Sequence, residues 1–221
     1  MLAANRRIAC VLGPMAVLIG LMGPGCATST QTPPDMDGLV LQPSPGLDAV
    51  YLRSDANFNA YGNIVLQPVQ VTFDKDWDPK LSQRALSRSL SEQDLQMLKD
   101  EMASEFRSIF VNELASGGYQ VVDQLGANSL VITAALADVY INDPVALMTL
   151  VMELHDGING PLVGRIADHS IGGNFGRLEM TYSVTRSADF RGAVADWAER
   201  LRKELDTWRS NAVRLNGDRG R

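Results

Sequence analysis

Acidic, histidyl and seryl side chains gather at two places in this 221-residue chain, and each place holds residue types that can do chemistry. In "DKDWDP", Asp74, Asp76 and Asp78 stand at alternate positions, as at the start of a calcium loop. Such a loop needs glycine at its sixth position and a bidentate glutamate at its twelfth. Counted from Asp74, those positions hold Pro79 and Ala85, so the stretch reads as an acidic solvent loop. Trp77 within it is either tucked into the body or presented to a partner. The two histidines, His155 and His169, adjoin Asp156 and Asp168, and the four could hold a metal if they met across a hairpin. Their spacing is not that of a ligand set, and turn residues of these types are ordinarily solvated.

Asp168, His169 and Ser170 are the residue types of a nucleophilic triad. A triad, however, assembles from separate elements rather than from three consecutive residues. Ser170 also lacks the G-x-S-x-G setting of a nucleophile elbow. "GGNFG" (Gly172 to Gly176) could cradle a phosphate, but it lacks the lysine and the strand-to-helix context of a P-loop, and reads as a mobile loop. The expectation is a protein that is not an enzyme, with no catalytic residue, no cofactor and no metal site.

Both cysteines, Cys10 and Cys26, lie in the first 26 residues. The body therefore has neither a disulfide framework nor a cysteine-ligated zinc site. The formal charge is −6, and with the two leader arginines set aside the remainder carries 18 basic against 26 acidic residues. No basic patch of the kind that binds nucleic acid is visible.

Residues 1–25 run from a basic stretch (Arg6, Arg7) through the apolar "IACVLGPMAVLIGLM" to "GPG", the order of a secretory signal. As a helix the apolar run spans about 22 Å, short of a hydrocarbon core of about 30 Å. The segment resembles a bacterial lipoprotein signal, in which a small residue, here Gly25, precedes the cysteine that is lipidated. It departs from that pattern upstream: Gly23 stands where leucine is usual, with Leu21 two positions early. The expectation is lipidation of Cys26 by diacylglycerol and an amide-linked chain such as palmitate. More than one acyl tail, at about 0.8 kcal/mol per buried methylene, anchors stably. The alternative is cleavage after Ala27, giving a soluble periplasmic protein. Ala27, in place of the aspartate of inner-membrane retention, favours the outer membrane with the domain facing the periplasm.

The elements that would position these residues follow. Residues 26–50, rich in Pro, Ser, Thr and Gly, read as a lipidated start and a flexible tether of roughly 25–30 Å reach, although Leu39, Val40 and Leu41 can pack back on the body. Residues 51–211 read as one α/β domain and 212–221 as a disordered tail. "GNIVLQPVQVTF" (Gly62 to Phe73) reads as a strand that Pro68 confines to an edge or a bulge, ahead of which Phe58 and Tyr61 are expected to anchor a polar stretch on the core, or, if exposed, to mark a contact surface. Leu95, Leu98, Met102, Phe106, Ile109 and Phe110 form one helical stripe, opened by a Ser91–Asp94 capping box and stopped at Gly117-Gly118. "YQVVD" is a short strand and "LVITAALADVYI" a central one. "VALMTLVMEL" and "PLVGRIAD" form a hairpin about "HDGING", and "LEMTYSVT" is a further strand. Phe190, Val194, Trp197, Leu201, Leu205 and Trp208 line a closing helix. The whole predicts a two-layer α/β sandwich, a short mixed or antiparallel sheet with two main helices on one face.

"DGL" (Asp37 to Leu39), "YLRSDANFNAYGNIVLQPVQV" (Tyr51 to Val71), "GANSLVITAALADV" (Gly126 to Val139) and "DWAERLRKELD" (Asp196 to Asp206) together resemble the DUF3313 family of bacterial lipoproteins. The resemblance implies a secreted, lipid-anchored α/β domain and carries no activity or catalytic residues. The functional expectation is a non-enzymatic envelope adaptor or assembly component, with the membrane and an envelope protein as partners. A Pro68-weakened edge that accepts a partner strand is one adaptor route. The alternative is a periplasmic small-molecule-binding module or envelope enzyme, with a pocket under the hairpin.

Overall fold

The computed structural model describes residues 37–77, 91–126, 128–142, 145–173 and 188–218, all within the compact unit Thr32–Arg221. In chain order the elements are β1 (Leu39–Gln42), β2 (Ala49–Arg53), a 3-10 turn (Phe58–Ala60), β3 (Asn63–Leu66), β4 (Gln70–Phe73) and α1 (Glu92–Ser116). Then follow β5 (Gln120–Val121), β6 (Ser129–Asn142), β7 (Val145–Asp156), β8 (Leu162–Gly173) and α2 (Ala188–Asp218). Among the described residues, eight strands form one mixed sheet in the order β1-β2-β8-β7-β6-β3-β5, with β4 also on β6. With two helices on one face, this is the two-layer sandwich that the element order predicts.

The long β6–β7–β8 meander is antiparallel, whereas β3, β4 and β5 run parallel to their neighbours. Strand alternation turns Met148, Leu150, Met152 and Leu154 of β7 into the core and leaves Thr149, Val151 and Glu153 on the helix-free face. In β6 a register shift between Ala137 and Tyr140 switches the inward set from Leu130, Ile132, Ala134 and Leu136 to Val139 and Ile141. Asp138, at φ 51°, is the residue that absorbs the bulge. The β7–β8 hairpin turns at Gly157, where φ is +77°, and at Gly160, where an added Cβ would lie 1.5 Å from the Asp156 carbonyl oxygen.

α1 opens with the expected capping box: the Asp94 amide donates to Ser91 Oγ at 3.2 Å and the Ser91 amide to Asp94 Oδ2 at 2.8 Å. Its buried stripe is Met102, Phe106, Phe110 and Leu114, with Phe106 and Phe110 stacked at 4.0 Å. α2 buries Phe190, Val194, Trp197, Leu201, Leu205 and Trp208, as its periodicity predicts. Phe58 and Tyr61 are buried too, Phe58 packing on Trp208 at 4.9 Å.

Four expectations are corrected. Gly62–Phe73 is two strands rather than one, because Pro68 cannot donate to the ladder and the chain jogs between β3 and β4. The segment expected as tether ends near Asp37: β1 and β2 occupy much of 39–53, and Leu39, Leu47 and Val50 are core residues. Two strands of four and five residues, separated by Pro and Gly, are too short to show a period, and only pairing with β8 orders them. The stretch expected as a disordered tail from 212 continues α2 to Asp218, since Ala212, Arg214 and Leu215 are good helix formers. Gly172 and Gly173 close β8 rather than opening a loop. The rest of "GGNFG", the strand expected at "LEMTYSVT", and Asp78, Pro79 and Ala85 lie outside the described residues, as do Cys10 and Cys26.

Candidate functional site

Just past β4 the backbone of 74–77 folds locally on Asp74. The Asp76 amide donates to Asp74 Oδ1 at 2.7 Å and the Trp77 amide to the Asp74 carbonyl at 3.1 Å. Trp77 is tucked in, only 8% exposed; it stacks on Phe73 at 4.3 Å and donates its indole N–H to the Ile141 carbonyl at 2.8 Å. Among the described residues no three His, Cys, Asp or Glu side chains are placed to hold a metal.

The hairpin register separates the two histidines. His155 pairs opposite Leu162 and His169 opposite Thr149, positions about 23 Å apart along β8 at 3.3 Å per residue. Alternation also splits "DHS": Asp168 points into the core and His169 to the opposite face. Asp168 is 3% exposed and structural. Its Oδ2 accepts from the Trp197 indole at 2.7 Å and from Arg200 at 3.2 Å, and its Oδ1 from the Asp48 amide at 2.9 Å. This one carboxylate joins β8, α2 and the β1–β2 loop. His169 Nδ1 lies 2.8 Å from Asp48 Oδ2, and that hydrogen bond holds the Asp48 carboxyl below its ordinary range.

On the helix-free face Arg165 bridges Glu153, at 2.8 Å, and Asp37, at 3.1 Å. Burial pushes the Glu153 carboxyl up, but hydrogen bonds from Arg165 and His155 outweigh it and hold it low. Tyr61 goes the other way: burial and then the Asp156 carboxylate raise its phenol to about 12.

One open cleft of about 710 Å³ is lined by Asp74, Asp76, Asp138, Tyr140, Leu147 and His169, among others. It brings together Asp74 and Asp76 with His169, which is remote in sequence, and adds Asp138. Leu147 stands 40% exposed within it. An apolar floor rimmed by carboxylates suits a ligand that carries positive charge beside an apolar body. The place expected for a pocket, at the "HDGING" hairpin, holds a smaller one of about 300 Å³ beside Asp156, Pro161 and Tyr61. Sequence reasoning missed Asp138 and Asp48. An aspartate inside an apolar strand is a visible bulge signal, whereas Asp48 has none, because its partners lie about 120 residues away.

These features define a class: a two-layer α/β domain, its mixed sheet open on one face, entered through an edge hairpin that follows the N-terminal segment. The chain belongs to the DUF3313 family, described as a protein of unknown function, whose model matches residues 36–149. No curated protein matches the sequence. Among solved structures it is similar to the PelC dodecamer from Paraburkholderia phytofirmans, at 12% identity over 68% of this chain and 96% of that one, with a TM-score of 0.41. It is also similar to a candidate lipoprotein from Caulobacter crescentus CB15, at 12% identity over 70% of this chain and 93% of that one, TM-score 0.35. A DUF4136 family protein from Bacteroides thetaiotaomicron is similar at 12% identity over 78% and 98%, TM-score 0.36. Values this low carry nothing about activity or assembly.

Proposed function

We propose that the chain is an envelope lipoprotein, anchored through Cys26 in the outer membrane with its domain facing the periplasm, and that it acts as a non-enzymatic adaptor or assembly component. The observation that carries the reading is the order of the N-terminal residues: basic start, apolar run, "GPGC", then a short polar stretch before the first strand. Among the described residues no helix is long and apolar enough to cross a membrane.

With β1 at Leu39, the segment 27–36 is what remains to connect lipid and domain. Ten residues reach about 35 Å at full extension and roughly 17 Å as a flexible coil. The domain would therefore stand close to the bilayer, where it meets membrane-bound partners. The adaptor reading is supported by what the reactive side chains do: Asp168 ties helix to sheet, and Asp48 occupies His169.

Mass spectrometry of the mature N-terminus tests the anchor. A diacylated or triacylated Cys26 is expected, with release from the membrane fraction in Cys26→Ser. An unmodified chain beginning at Thr28 overturns it. The cleft of about 710 Å³ favours a second reading, a binding module for a small cationic amphiphile. Native mass spectrometry decides this one: a stoichiometric ligand lost in Asp138→Asn supports the module, and a specific crosslinked protein partner supports the adaptor.

A further inference from the structure

Strand direction gives the sheet two distinct ends. β3, β5, β6 and β8 all start at the end where β7 closes: Asn63 pairs with Gln120 and Ser129, Leu130 with Asp156, and His155 with Leu162. The turn from Asp156 to Pro161 caps this end, and its Gly157 amide donates to the Ser129 carbonyl at 3.1 Å. The N-terminal segment enters here too. Leu39 of β1 pairs with Arg53, the last residue of β2, and Asp37 is held by Arg165 at 3.1 Å. α2 runs toward the same end, where Trp208 packs on Phe58 and Arg209 donates to the Tyr61 carbonyl. The helix then continues to Asp218, an overhang of about 13 Å at 1.5 Å per residue.

Ile158 stands at the tip of this end. It is 55% exposed, the highest value for a large apolar side chain among the described residues. Its turn is closed by the Gly160 amide on the Gly157 carbonyl at 3.4 Å. Such positions ordinarily carry Gly, Asn, Asp, Ser or Pro, and an isoleucine exposed there adds nothing to the core. The carboxylates of this end have arginines beside them: Asp37 has Arg165, while Asp55 and Asp156 share a recess with Arg53. The sequence from 209 onward adds Arg209, Arg214, Arg219 and Arg221 against Asp218 alone. Cationic side chains favour the phosphate-bearing headgroups of a bilayer, and an apolar side chain gains by leaving water at its surface.

We infer that this end of the domain rests on the lipid bilayer, with Ile158 inserted among the headgroups as an apolar pin. The orientation rests on the Cys26 anchor proposed above and adds which end of the sheet the anchor draws down. Ile158 is seven residues from Arg165, so at most about 23 Å away at 3.3 Å per residue. The ten residues of 27–36 reach about 35 Å at full extension, so tether and turn can meet the same leaflet together. The cleft beside Asp138 and Leu147 lies at the opposite end of the sheet and stays open to water.

The test uses the lipidated full chain on vesicles of phosphatidylethanolamine and phosphatidylglycerol. With Cys26 acylated the body has no other cysteine, so a nitrobenzoxadiazole label goes only to an introduced thiol. Asn159→Cys puts the label beside Ile158, and Lys75→Cys puts it at the far end, on a side chain 88% exposed. Flotation with the vesicles reads the anchor, and quenching of the label by spin-labelled lipid reads the contact. Quenching should be several-fold stronger at 159 than at 75, and Ile158→Glu should abolish the difference. Equal quenching at the two positions on chains that float overturns the bilayer contact and leaves the anchor standing. A difference that survives Ile158→Glu overturns the pin. Chains that do not float overturn the anchor and the orientation with it.

Discussion

Removing the Asp168 carboxylate should cost the fold more than any surface change, by an amount that follows from its three partners. Asp168→Ala leaves the Trp197 indole N–H and the Asp48 amide without an acceptor, and takes from Arg200 its buried counter-charge. Each buried donor left unpaired costs about 1–3 kcal/mol, so the variant should lose about 3–5 kcal/mol. For a domain of this size that is a fall of about 10 °C in melting temperature. Asp168→Asn keeps the volume but turns an amide N–H₂ toward one of the donors, so about half that loss is expected. The assay is urea unfolding followed by tryptophan fluorescence and by far-ultraviolet circular dichroism. Trp197→Phe, alone and combined with Asp168→Asn, completes a double-mutant cycle whose coupling should be about 1–2 kcal/mol. A loss below about 0.5 kcal/mol for Asp168→Ala, or additive single effects, refutes the view that this carboxylate bolts α2 and the β1–β2 loop to β8.

Gly117→Ala places a Cβ 2.4 Å from Cδ of Arg202. It should displace that side chain from Glu113 and cost about 1–2 kcal/mol, read as a melting shift that Arg202→Ala suppresses. Trp77 should fluoresce at short wavelength and resist iodide quenching; Trp77→Phe should cost about 1 kcal/mol through the lost bond to Ile141. The Glu153 carboxyl is lowered in the folded state from an unfolded value near 4.5, so its contribution is present above that value and is lost as pH falls through the folded one. The stability difference between the unsubstituted chain and Glu153→Gln should therefore shrink on acidification from pH 6 to pH 3. Truncation before Phe190 should abolish the cooperative melt, because α2 supplies seven core side chains from Phe190 to Trp208.

Periodic elements were legible and aperiodic ones were not. The α1 and α2 stripes, the Ser91–Asp94 cap and the "HDGING" hairpin are local signals, readable within one turn or one strand pair. β1 and β2 hold only four and five residues, and their existence depends on partners such as β8 that no local window contains. The candidate chemistry shows the same divide. "DHS" looks suggestive as a string until strand alternation sends Asp168 and His169 to opposite faces. Asp138 and Asp48 acquire their neighbours only from the sheet register.

The β1–β2 hairpin pairs with β8, and Asp48 finds Asp168 120 residues further along the chain. In a chain delivered N-terminus first, the docking strand of the leading hairpin is among the last parts to arrive. Leu39, Leu47 and Val50 must wait uncovered until β8 has formed. The order of delivery and the order of closure therefore run in opposite senses, and the β1–β2 hairpin locks only once β8 is in place.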